Sequence, residues 1–258
     1  MEETPLLRTK KLTKYYGHRP ACIDIDFELH AGEVLAIVGE SGSGKSTLLG
    51  LLAREIAVSR GEISYRKRNG ETCCLLELSE AETRRLMRQD WGFVRQDPRD
   101  GLRMSVSAGA NIGEPLMALG MRHYGNIREI AASWLHKVEI DATRIDESPK
   151  SFSGGMRQRL QIARNLVTNP RLVLMDEPTS GLDVSVQAKL LDLLRALVAE
   201  LNLAVIIVTH DLAVARLLSH RIMVMKAGRV IETGLTDQVL DDPREAYTQL
   251  LVASVLAA

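Results

Sequence analysis

The chain has 258 residues, 45% hydrophobic and 26% charged, with 33 Lys and Arg offset by 33 Asp and Glu. A chain of this length buries a full α/β core without a second independent domain. Its neutral balance gives no support to a nucleic-acid binder or a polybasic membrane anchor, and no apolar run approaches the roughly 20 residues that cross a bilayer. The start, Met1-Glu2-Glu3-Thr4-Pro5, lacks the layout of a signal peptide. Cys22, Cys73 and Cys74 form no even disulfide set and no C-x-x-C pair, so they read as small apolar residues in a reducing compartment. A cytoplasmic protein with no direct membrane insertion is expected.

In chain order, Thr9 to Tyr16 and Ile23 to Leu29 read as antiparallel strands. The apolar run Val34 to Val38 is a strand, and it feeds directly into Gly39-Glu40-Ser41-Gly42-Ser43-Gly44-Lys45-Ser46, which fits G-x-x-x-x-G-K-[ST]. Glycines let the backbone curl around a phosphate with successive N–H groups pointing inward, and a helix starting near Lys45 and running through Thr47 adds its positive end. Lys45 is expected against the β- and γ-phosphates, and the Ser46 hydroxyl on Mg²⁺. Arg66 to Glu71 reads as a solvated hairpin turn, and Arg84, Arg85 and Arg88 as the solvated face of a short helix.

Between the P-loop and Leu172 the middle region is rich in helical patterning, punctuated by Pro98, Pro115, Gly120, Gly125 and Pro149, which reads as an inserted helical subdomain. Within it, Phe152-Ser153-Gly154-Gly155-Met156-Arg157-Gln158-Arg159 opens an amphipathic helix continued by Leu160, Ile162, Ala163, Leu166 and Val167. Ser153 can cap that helix while the glycines offer backbone N–H groups to an anion; read alone it is merely a helix start. Leu172 to Met175 is a strand ending in Asp176-Glu177, where sheets of this kind bind ligands. Asp176 is placed to contact a Mg²⁺ held by Ser46, and Glu177 to orient or deprotonate an attacking water.

The segment Asp183 to Leu201 puts Val186, Leu190, Leu193, Leu194, Leu197, Val198 and Leu201 on one helical face, as in a surface helix packed on a sheet. With further strands at Ala204 to Val208 and Ile222 to Met225, the alternation predicts a mostly parallel sheet flanked by helices.

The ordered set of P-loop, Gln96, Ser153-Gly154-Gly155, Asp176-Glu177, Ser180-Gly181-Leu182-Asp183 and His210 resembles the nucleotide-binding domain of ATP-binding cassette proteins over essentially the whole chain. The resemblance implies an α/β P-loop NTPase with a mostly parallel central sheet, an antiparallel β subdomain and an inserted helical subdomain. It implies a nucleotide-binding core at 1–96 and 167–236, a helical subdomain at 97–166 and a tail at 237–258. It also implies ATP and Mg²⁺ as cofactors.

Gln96 then matches the Q-loop glutamine, which reaches the metal and the attacking water and links the two subdomains. His210 matches the switch histidine at the γ-phosphate, and Asp183 the acid that communicates across a dimer. Tyr16 stands where an aromatic stacks on adenine, with Tyr15 as its rival. Ser153, Gly154 and Gly155 would touch the nucleotide of the opposite subunit in a head-to-tail dimer. Phe152 and Met156 replace the usual Leu and Gln of this signature.

Within the family two resemblances compete. Ser153 to Arg159 with Met156, and the tail Asp242 to Leu251, are similar to oligopeptide-type importers. The stretches Gly101 to Glu114, Arg122 to Arg128, Val138 to Asp146, Leu201 to Val205, Ala215 to Leu218 and Gly234 to Asp237 are similar to the cassette ATPases of bacterial carbon-phosphorus lyase systems for phosphonate breakdown. The latter implies an ATPase that docks, as a dimer, on a soluble multi-subunit lyase core, with a second cassette protein of the same system as a further partner. The same resemblance implies that phosphonate itself would be handled by those partners; separately, three scattered cysteines cannot supply the clustered thiolates of an iron-sulfur site. A third reading is an ATP-dependent structural switch with little hydrolysis, against which the presence of Glu177 counts.

Overall fold

The computed structural model describes residues 4–256, which fall into two compact units. One runs up to Glu80 and resumes at Asn202; the other spans Ala81–Leu201. Among the described residues no helix is long and apolar enough to cross a membrane.

The first unit opens with β1 (Leu7–Tyr16) and β2 (Arg19–Leu29), followed by β3 (Val34–Val38), α1 (Lys45–Leu52), β4 (Arg60–Arg66) and β5 (Thr72–Cys74). β1, β2, β4 and β5 form an antiparallel sheet in the order β2-β1-β4-β5. Alternation drives it: Leu7 and Thr9 of β1 and Ile25, Phe27 and Leu29 of β2 are buried between more exposed neighbours, and Leu12, Thr13 and Cys22 are buried further along the two strands. The register slips between Thr9 and Leu12, where Lys11 turns to φ 47° and its N–H is taken by Asp26 Oδ1 at 2.8 Å. The charged stretch after β4 is a hairpin turn as expected, with Lys67 N–H bonded to Glu71 O at 2.8 Å.

The second unit carries α2 (Glu80–Asp90), β6 (Trp91–Val94), α3 (Pro98–Gly101), α4 (Ala108–Ala118), α5 (Tyr124–Lys137), α6 (Gly154–Leu166), β7 (Leu172–Asp176) and α7 (Val184–Leu201). β6 and β7 pair in parallel from Trp91↔Leu172 to Val94↔Met175. α4 packs on α5 and α6, and α7 buries Leu190, Leu191, Leu193, Leu194 and Leu197 and packs on α6.

One buried amide organises the entry to α4. Asn111, fully buried, accepts from Arg103 N at 2.8 Å and donates to Arg103 O at 3.1 Å and Ser107 O at 3.0 Å. Arg164 of α6 then donates to Asn111 O at 3.0 Å and to Glu114 Oε2 at 2.6 Å.

The first unit resumes with β8 (Ala204–Val208), α8 (Leu212–Leu218), β9 (Arg221–Lys226), β10 (Arg229–Leu235), α9 (Thr236–Asp241) and α10 (Ala246–Leu256). β3 lies between β8 and β9, parallel to both, and β10 returns antiparallel on β9. Every residue of β3 and β8 is buried, which is why both read as continuous apolar runs.

Candidate nucleotide site

β3 delivers the chain to the phosphate-loop candidate, and three glycines turn it. Gly39, Gly42 and Gly44 take φ of 145°, 82° and 106°, which side-chain-bearing residues rarely adopt. At Gly39 a Cβ would sit 2.2 Å from Met225 O, and at Gly44 2.3 Å from Ala21 O. Neither position admits another residue. The loop is fastened below by Gly228 N–H to Ser43 O at 2.9 Å.

Lys45 is buried, and its Nζ donates to Gly39 O at 2.7 Å and Glu40 O at 2.8 Å, so the cation is folded back across its own loop. The buried Ser43 Oγ has no hydrogen-bond partner. Glu40, Ser41, Gly42 and Ser46 are exposed and Thr47 is half-buried. A cation held on the carbonyls of a glycine-rich loop, with a buried hydroxyl in the same loop that has no partner, fits a polyphosphate.

β3 and β8 are in register at Ile37↔Val208, so Gly39 and His210 stand two residues beyond the paired positions at the same sheet edge. His210 is exposed; buried Thr209 before it accepts from Asp211 N at 3.0 Å, and Asp211 caps α8. Tyr15 and Tyr16 are both exposed, with Lys14 Nζ 5.1 Å from the Tyr16 ring centroid. Cys22 is buried with its thiol pushed up to about 12 by that burial, which suits a small apolar packing residue.

In the second unit the register Val94↔Met175 likewise sets Gln96 opposite Glu177. The Gln96 amide Nε2 donates to Glu177 Oε2 at 3.1 Å and reaches Ser180 Oγ at 3.4 Å. Glu177 has φ 42°, a left-handed backbone that costs an ordinary side chain energy and re-aims it as β7 ends. Asp176, half-buried, is the last residue of β7. Just past Gln96, the Arg99 guanidinium beside Asp97 holds that carboxyl below the usual carboxylate range.

Ser153 caps α6, accepting from Met156 N at 3.3 Å, and Ser153 and Gly154 are exposed. Gly155 is buried: a Cβ there would meet Val186 Cγ1 at 2.5 Å, so glycine lets α6 approach α7. Asp183, exposed, accepts from Gln187 N at 2.8 Å as α7 begins.

Phe152 and Met156 have a common neighbour. The Arg144 guanidinium lies 4.6 Å from the Phe152 ring centroid, with Nη1 3.4 Å from Met156 Sδ. Its other nitrogens grip Glu147, whose Oε2 also accepts from Ser151 Oγ at 2.8 Å. The Arg144 and Ser151 bonds hold the Glu147 carboxyl down to about 2.

Three residues here belong to none of the nucleotide-site motifs. Arg144 is one. Gln161, mid-helix in α6, is another: it accepts from Arg95 N at 2.6 Å, next to Gln96. The third is Tyr247 of α10, whose hydroxyl accepts from Glu40 N at 3.0 Å while Lys226 Nζ lies 4.5 Å from its ring centroid.

The profile described as "ABC transporter" matches residues 22–180. The chain is 63% identical over 252 residues, 98% of both chains, to PhnK of Escherichia coli K12, whose name attaches it to phosphonates utilization and ATP binding. It is 38% identical over 263 residues, 98% of this chain and 79% of the other, to the dipeptide transport ATP-binding protein DppF of Haemophilus influenzae. Among solved structures it is similar to the dimeric post-hydrolysis state of the ATP-binding cassette MJ0796 bound to ADP and Pi, with TM-score 0.78 and 31% identity over 89% of this chain and 98% of that one.

Proposed function

The chain belongs to the ABC transporter family of ATP-binding cassettes and is an ATPase, and from that premise we propose that it powers a carbon-phosphorus lyase system for phosphonate breakdown in the cytoplasm. The observation that carries this reading is the 63% identity along 98% of both chains to a protein named for phosphonates utilization, against 38% to a dipeptide transport protein. Two copies clasp ATP head to tail and dock on the soluble lyase core, alongside a second cassette protein of the system. Binding and hydrolysis change the conformation of that core.

The site residues divide the work. Gly39 to Thr47 wrap the phosphates, with Lys45 leaving its two loop carbonyls for the triphosphate, and Tyr16 or Tyr15 stacks on adenine. Ser46, Gln96 and Asp176 are hard oxygen donors suited to Mg²⁺, which when bound supplies charge neutralisation on the phosphates. Glu177 accepts a proton from the attacking water. The 3.1 Å bond from Gln96 supports this role, since that amide orients the carboxylate. His210 contacts the γ-phosphate, and Ser153, Gly154 and Gly155 touch the nucleotide of the opposite copy, with Asp183 at the dimer seam.

Two experiments test the reading. Glu177→Gln should stop turnover and trap a dimer with ATP and Mg²⁺ in size-exclusion chromatography; a protein that stays monomeric rejects the shared site. The tagged protein, pulled from phosphate-starved cells with ATP, should bring soluble lyase subunits. Recovery of integral permeases instead would reassign it to an oligopeptide-type importer.

A further inference from the structure

β6 is an edge strand, and its outward-facing N–H groups need partners that no neighbouring strand supplies. Helix α6 supplies them with two side-chain amides one turn apart. Asn165 Oδ1 accepts from Phe93 N at 2.9 Å, and Gln161 Oε1 accepts from Arg95 N at 2.6 Å. The Gln161 amide also donates back, to Arg95 O at 3.1 Å and to Gln158 Oε1 at 3.2 Å. One side chain thus pairs both ends of the Arg95 residue, as a neighbouring strand would.

Gln161 is fully buried, so neither bond is exchanged with water at no cost. The surroundings are cut to admit it: a Cβ on Gly101 would lie 2.3 Å from Gln161 Oε1 and 2.7 Å from its Cδ. Two residues 60 positions apart in sequence, Gly101 and Gln161, are therefore one feature in space.

We infer that Gln161 is a positioning residue for the Q-loop: by fixing the backbone at Arg95 it holds Gln96 against Glu177, and ties both to the helix that Ser153 begins. Gln96 is otherwise an exposed, rotor-rich side chain, and its 3.1 Å bond to Glu177 depends on where its backbone is held. This inference rests on the reading of Glu177 as the base and of Ser153 as the contact to the opposite nucleotide.

Two variants test it. Gln161→Met keeps length and burial but removes the clamp; Gly101→Ala leaves Gln161 unsubstituted but displaces its amide with a methyl group. In hydrogen exchange on the nucleotide-free protein, both should speed the Arg95 amide by about tenfold or more while Phe93, held by Asn165, stays protected. In steady-state assays both should lower kcat about tenfold and leave KM for ATP within about twofold, because the phosphate loop is untouched.

A merely structural glutamine would lower melting temperature without moving kcat per folded molecule. Faster exchange at Arg95 with unchanged kcat overturns the inference, as does unchanged exchange in both variants. If the unaltered protein does not hydrolyse ATP, the underlying reading has failed and takes the inference with it; that result is read on the parent, not on the variants.

Discussion

Replacing Asn111 with Ala removes a fully buried amide that bonds Arg103 N at 2.8 Å, Arg103 O at 3.1 Å and Ser107 O at 3.0 Å. Ser107 O keeps a donor, since Asn111 N also bonds it at 3.0 Å, so its loss is small. Arg103 loses partners at both its N–H and its C=O. A buried group left unpaired costs about 1–3 kcal/mol, so two partly re-solvated groups together cost about 2–4 kcal/mol. For a chain of this size each kcal/mol shifts the melting temperature by about 2–4 °C, giving a fall of about 4–16 °C.

Thermal melts followed by circular dichroism read the shift, and hydrogen exchange at the Arg103 amide reads its cause. Asn111→Asp keeps an acceptor for Arg103 N but sets a buried carboxylate against the carbonyl oxygens of Arg103, Val106 and Ser107, and should fare no better than Ala. If Asn111→Ala melts within about 1 °C of the parent and Arg103 stays protected, the assignment of this amide as the anchor of the α4 entry is wrong.

Lys45→Ala should weaken ATP binding at least about tenfold in a fluorescent-nucleotide titration, since it removes the charged donor of the loop; unchanged affinity would remove Lys45 from the site. Gly39→Ala should lower the melting temperature far more than Gly42→Ala, because its Cβ meets Met225 O at 2.2 Å whereas nothing lies within 4 Å at Gly42; equal shifts would contradict the loop packing. Glu147 has its carboxyl depressed from 4.5 to about 2, so its ion pair contributes stability above about pH 4.5 that is lost as pH falls toward 2. The melting temperature of Glu147→Gln should therefore fall less than that of the parent across that window, and parallel curves would show that Glu147 does not carry the acid sensitivity.

What could be read from sequence was local. β3, the glycine turns and the start of α1 follow one another without a gap, so continuous apolarity, left-handed glycines and a helix onset specify them together. Ser153 was legible as a cap for the same reason. The Gln96–Glu177 bond spans 81 residues and was reachable only through the ordered motif set, because no spacing rule joins a strand end to another strand end. Gln161 and Asn111 escaped notice because polar residues at helical spacing normally face water; here each replaces a missing strand or turn partner. Arg144 was equally silent, since a cation beside Glu147 in sequence gives no sign that it lies over Phe152.

The Tyr247 hydroxyl, bonded to Glu40 N, makes the final helix a strut of the phosphate loop. Shortening the chain ahead of Ala246 would unhook that amide from behind, and a purification tag is better fused at the other terminus. Natural variants with altered C-terminal ends are, by the same token, places to look for changed nucleotide affinity rather than for harmless length polymorphism.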